Sequence, residues 1–172
     1  MNLSLAIINW DGKSAEDIAK IYHQFHNDSA FVDTLLELLA KIPYQVGSTW
    51  LLKHYFEEGY IFSDKQVSIY HKELFKLQTW EAKLHALQSF TYLPIAKASV
   101  KLVENFLRAT ITDNNKFVRA WSYNGFYVLA KQYPSYQKEV TQFLDLGLKD
   151  EAPSVKARIR NIIEVGFEQE NM

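Results

Sequence analysis

The chain repeats itself at one fixed interval. Val46, Ala82, Val118 and Val155 are separated by 36, 36 and 37 positions, and Phe31, Val67, Val103 and Val140 keep the same three intervals. Two independent sets of positions therefore obey one period. Around them apolar residues recur every three or four positions, as in Ile18, Ile21, Tyr22 and Phe25, or Val100, Val103, Phe106 and Leu107, or Val140, Phe143 and Leu144. That spacing lines one face of a helix. Each repeat is then a pair of helices whose apolar face stays bare until another pair stacks on it. No hairpin-forming alternation of strands competes with this reading.

Break signals divide the chain into nine predicted helices, over residues 14–26, 29–42, 43–58, 64–77, 78–92, 94–112, 115–133, 135–149 and 152–168. Asp11-Gly12-Lys13-Ser14, Asn27-Asp28-Ser29, Glu58-Gly59, Asp113-Asn114-Asn115 and Asp150-Glu151-Ala152-Pro153 are the clearest of these breaks. Ser14 followed by Asp17 reads as a capping start, and Pro43, Pro94 and Pro153 suit first-turn positions, where no backbone donor is needed. The expectation is one all-α domain over residues 1–172. It holds an N-terminal helix (14–26) and four helical hairpins, at about 29–58, 64–92, 94–133 and 135–168.

Asp113 followed by Val118-Arg119, and Asp150 followed by Val155-Lys156, place an acid in the turn and a Val-basic pair at the start of the second helix. In this the chain resembles the HEAT-repeat branch of the armadillo-like solenoids. Lys41 and Gly47 stand at the corresponding places of the first repeat, Leu77 and Lys83 at those of the second. The resemblance implies a right-handed α-α superhelix whose second helices line a concave side. It also implies a structural role, bonding turn to helix between repeats, for Asp113, Arg119, Asp150 and Lys156.

With 172 residues and 48% apolar side chains, the chain is long enough to bury roughly 70% of its unfolded surface without covalent staples. There is no cysteine, which removes disulfides, thiolate metal sites and cysteine nucleophiles. The net charge is −1, which supplies no overall field for a polyanion. Residues 1–86 carry 8 basic and 11 acidic groups, residues 87–172 carry 11 and 9, and all four Arg are in the second half. The first ten residues lack a charged leader pattern, and no window has the length of apolar sequence a membrane span requires. A cytoplasmic protein with no membrane partner is expected.

Counted from the aligned Val or Ala, the third position of each second helix holds Thr49, His85, Trp121 and Arg158, and the sixth holds Leu52, Gln88, Asn124 and Asn161. Residues three apart share a helix face. Stacked repeats would align His85, Gln88, Trp121, Asn124, Arg158 and Asn161 as a partner-binding strip. Large aromatics and a forked cation are the side chains that dominate binding surfaces. The competing reading packs Trp121 into the core and ties the amides to neighbouring backbone.

Catalytic residues are not evident. The five histidines (His23, His26, His54, His71 and His85) form no metal-ligand spacing with carboxylates, phosphate-binding glycine loops and nucleophile elbows are missing, and no cofactor is implied. Tyr123, Tyr127, Tyr133 and Tyr136 lie near Arg119, Lys131 and Lys138 in sequence, a composition suited to stacking on bases or peptide groups. The reading is a non-catalytic scaffold for a protein or peptide. Nucleic acid is the second partner class: some HEAT-like proteins are glycosylases for alkylated DNA bases, and Trp80-Glu81 or Trp121 with Arg158 and Arg160 resemble parts of such a cleft. A near-neutral chain disfavours it.

Overall fold

The computed structural model describes residues 2–167, and among them the chain is all-helical, with no strand. Ten helices follow in order: α1 (Leu3–Asn9), α2 (Ala15–Phe25), α3 (Phe31–Leu38), α4 (Gln45–Glu57), α5 (Asp64–Glu73), α6 (Trp80–Ser89), α7 (Val100–Thr110), α8 (Lys116–Gln132), α9 (Gln137–Asp150) and α10 (Pro153–Val165). Short 3₁₀ turns at Ile42–Tyr44, Leu74–Lys76, Lys97–Ser99 and Pro134–Tyr136 adjoin α4, α5, α7 and α9.

Local chemistry sets most of these starts. Ser14 accepts the Asp17 N–H at 3.1 Å. At α5 the cap is reciprocal, because Ser63 Oγ accepts the Gln66 N–H and Gln66 Oε1 accepts the Ser63 N–H, so two otherwise orphaned donors are satisfied. Asn115 accepts the N–H groups of Phe117 and Val118. Pro153 is the first residue of α10, and Pro43 lies in the turn that enters α4. Pro94 departs from expectation: it sits in a non-helical stretch, and the helix predicted from residue 94 begins at Val100. Leu93 and Ile95, two apart, are both buried. A helix would turn them to different sides, so packing holds this segment extended.

Helix α1 was not expected from the sequence. Asn2 caps it by accepting the Leu5 N–H at 2.9 Å, and Leu3, Ala6 and Ile7, at the i, i+3, i+4 spacing, form its buried stripe.

The chain divides into two compact units, Met1–Ser99 and Val100–Met172. In the first, α4 lies along α6, and α3 packs against both α4 and α5. In the second, hairpins α7/α8 and α9/α10 are joined by α8 lying along α10. The period anchors Ala82, Val118, Val155, Phe31, Val67, Val103 and Val140 are all buried.

Val46 is the exception, being only partly buried. Its neighbour Gln45 takes the inward position with 0% exposure. The Gln45 amide donates to the carbonyls of Leu39 at 2.9 Å and Lys76 at 2.6 Å, and its oxygen accepts the Gln78 N–H at 2.9 Å. One side chain thus ties the turn after α3 to the turn before α6.

Arg119 performs the same task in the second unit. Its Nη1 donates to the carbonyls of Asp113 and Asn114, at 3.0 and 3.2 Å, and its Nε meets the Glu151 carboxylate at 3.0 and 3.1 Å. Arg119 thus bonds the turn through the Asp113 and Asn114 backbone, and its ion pair is with Glu151 in the next turn. Asp113 Oδ1 also accepts the Asn115 N–H at 2.9 Å, which shapes the turn. Lys156 donates to the Lys149 carbonyl at 3.0 Å, at the end of α9, where a cation suits the exposed carbonyls. Its partner is therefore backbone at Lys149, and Asp150 is the exposed last residue of α9.

Gly47 of α4 is buried against α1. A Cβ there would lie 2.7 Å from Ile7 Cγ2 of α1. Only a residue without a side chain lets α1 approach this closely.

Candidate binding face

Each predicted strip residue sits on a second helix of its hairpin, and within each unit the period brings equivalent positions into contact. In the first unit Thr49 of α4 meets His85 of α6, with Oγ1 and Nδ1 3.1 Å apart. The Thr49 hydroxyl donates to the Gln45 carbonyl at 2.7 Å. Having a single hydrogen, it therefore accepts from His85 Nδ1–H, and Nε2 becomes the ring's acceptor. Burial pushes the His85 pKa down to about 4; the Lys53 charge adds to this, and contacts with the Val46 carbonyl and Glu57 offset it only in part. His85 is thus a neutral acceptor at pH 7. Lys53 is itself paired with Glu57 at 2.6 Å. Gln88, one turn beyond His85, is half-buried, and Leu52 is fully buried.

In the second unit the contact is of another kind. The Arg158 guanidinium of α10 lies over the Trp121 ring of α8, 4.1 Å from its centroid. Both side chains are half-buried. Trp121 is thus neither fully buried nor fully exposed, and its ring carries a cation. Asn124 is half-buried and Asn161 exposed. Among the described residues the side-chain amides of Gln88, Asn124 and Asn161 make no hydrogen bond. The alternative in which they tie down backbone is therefore not what the structure shows.

The tyrosine surface suggested by sequence proximity is dispersed. Tyr123 is buried against Gly147, the Tyr136 hydroxyl donates to Glu104 at 2.8 Å, and Tyr127 packs near Phe167. These rings are fixed by packing or by polar networks rather than held on one open face. Among the described residues no group of three or more His, Asp or Glu side chains is placed to hold a metal ion. His23 and His26 have ring centroids 6.3 Å apart, and His26 stacks flat on Tyr22 at 4.7 Å.

Two features have no counterpart in the sequence reading. Glu104 is buried at the centre of a network formed with Lys101, Arg108 and Tyr136, and Arg108 continues to Glu139. Burial by itself would raise the Glu104 pKa, but hydrogen bonds from Tyr136, Lys101 and Arg108 outweigh it and hold the carboxyl below its ordinary value. The second is a groove of about 480 Å³ between α3 and α5, lined by Asp33, Leu36, Glu37, Gln66 and Ile69 among others. Gln66 bridges it by donating to Asp33 at 2.8 Å, so part of its polar lining is satisfied internally. The α8/α10 face, with a cation and two unused amides, has more to offer a partner.

Among the described residues no helix is long and apolar enough to cross a membrane. Comparison of the chain with family models, with curated proteins and with solved structures finds no match.

Proposed function

We propose that this chain is a non-catalytic helical-repeat module, HEAT-like in the register of its hairpins, that binds a protein or peptide on the face shared by α8 and α10. The observation that carries this is the Trp121–Arg158 stack at 4.1 Å beside the unbonded amides of Asn124 and Asn161. Side chains held in place by packing lose little freedom on meeting a partner, so each contact they make contributes more to affinity. Repeat scaffolds use surfaces of this kind for recognition.

The test is selection of random peptides displayed on phage against the full chain. Selected peptides should bind wild type and lose at least about 2 kcal/mol of binding in Arg158→Ala and in Trp121→Ala. Circular dichroism should show helicity and melting temperature nearly unchanged. If no peptide is enriched, or if enriched peptides ignore both substitutions, the face is not the site. Salt-sensitive DNA binding that depends on Arg158 and Arg160 would instead favour a nucleic-acid function.

A further inference from the structure

The charges of the second unit are sorted by helix. α8 carries Lys116, Arg119 and Lys131 with no carboxylate, and α10 carries Lys156, Arg158 and Arg160 with Glu164 alone opposing them. The neighbouring α9 leans the other way, with Glu139, Asp145 and Asp150 against Lys138 and Lys149. With Arg119 paired to Glu151, the remaining Lys116, Lys131, Lys156, Arg158 and Arg160 against Glu164 still leave these two helices basic in a chain whose net charge is −1.

Of the four arginines, Arg158 and Arg160 are the two without an ion pair among the described residues. Arg108 is neutralised by Glu104 and Glu139, and Arg119 by Glu151. Among the described residues no carboxylate pairs with Arg158; its guanidinium is positioned by the Trp121 ring. The ring holds the guanidinium in place without supplying it a counter-charge, and an arginine fork so held can take a carboxylate through two parallel hydrogen bonds. The amides of Asn124 and Asn161 stand on the same two helices, with donors and acceptors to spare for a partner's backbone. Arg160 is exposed and adds attraction at longer range.

Resting on the peptide-binding reading above, we infer that the partner of this face is an acidic polypeptide segment, and that Arg158, held over the Trp121 ring, receives one of its carboxylates. A nucleic acid fits less well. The Trp121 face on which a base would stack is already covered by the guanidinium.

The display selection separates this inference from the reading beneath it, and anisotropy with defined probes then tests it directly. The probes are a fluorescein-labelled peptide of alternating Glu and Leu, its Gln-for-Glu twin, and an oligothymidylate of matched charge. Selected peptides should be rich in Asp and Glu, and the Glu peptide should bind about tenfold or more tightly than its twin. Arg158→Ala should cost about thirtyfold. Arg158→Lys should weaken binding too, because the charge survives and the fork does not. Arg160→Ala should change affinity by less than about threefold.

Selected peptides without acidic enrichment, or equal losses in Arg158→Ala and Arg160→Ala, overturn the carboxylate assignment while peptide binding stands. Failure to enrich any peptide overturns both. Tighter binding of the oligothymidylate than of the Glu peptide, dependent on Arg158, overturns both in favour of nucleic acid. Sedimentation showing that the chain pairs with itself through this face overturns the inference in favour of a second copy.

Discussion

Replacing Gln45 by Leu keeps the volume of a fully buried side chain and deletes all three of its hydrogen bonds. Two carbonyls, of Leu39 and Lys76, lose a donor, and the Gln78 N–H loses its acceptor. At about 1 kcal/mol net for each bond, more for a group left buried and unmet, and with a gain from no longer desolvating an amide, the loss is about 3 kcal/mol. With a urea slope of about 2 kcal/mol/M, the unfolding midpoint should fall by about 1.5 M. Gln45→Glu provides the sharper control. A carboxylate can still accept from Gln78, but it faces two carbonyl oxygens without a proton to offer, so at pH 7 it should be worse than Leu. Acidification should recover part of the loss, because the protonated acid regains one donor. Trp10, Trp50 and Trp80 report on the first unit and Trp121 on the second. A midpoint shift under about 0.3 M for Leu, or a Glu variant as stable as wild type at pH 7, would show that the turn-to-turn tie is incidental.

Arg119→Ala should destabilise the second unit by about 1–3 kcal/mol, because it strips the Asp113 and Asn114 carbonyls of a donor and leaves a largely buried Glu151 unpaired; urea melts read by Trp121 fluorescence check this. His71 is fully buried with neither ring nitrogen bonded, and burial lowers its pKa to about 4. Between pH 6.5 and 4 the unfolded chain binds a proton there and the native chain does not, so stability falls as pH drops through that window, by up to about 3 kcal/mol. His71→Phe should remove that share of the slope; a pH profile of the urea midpoint identical to wild type would refute it. Gly47→Ala forces Ile7 aside and should cost about 1–3 kcal/mol, whereas the exposed Gly59→Ala control, strained only by its positive φ, should leave α1 in place as judged by proteolysis near residue 10.

The repeat register was legible because apolar anchors leave a trace that survives variation in everything around them. It placed Trp121 and Arg158 at equivalent positions, and they touch; it did the same for Thr49 and His85. What it missed follows from how the missing features are built. Gln45 works through backbone carbonyls, so no charge of opposite sign elsewhere in the sequence signals its role. Lys101, Glu104 and Arg108 do show helical pair spacing, but Tyr136 and Glu139, which complete the network, come from the next hairpin and become neighbours only once the helices pack. Helix α1 is seven residues with no charged face, too short for a periodic signal, and its evidence lies at Gly47, far along the chain. Pro94 looked like a helix start because sequence alone does not show that Leu93 and Ile95 both turn inward.

The seat of Ile7 at Gly47 also bears on association. A stacked hairpin presents a surface shaped for another hairpin, and a surface of that kind can recruit copies of its own chain one after another. α1 lies against that hairpin with Leu3, Ala6 and Ile7 turned in, and the notch at Gly47 admits it at a distance a Cβ would not permit. With α1 displaced, Leu3, Ala6 and Ile7 and the apolar ground beneath them would be bared to solvent, so a bulkier residue at Gly47 should make the chain stickier as well as less stable.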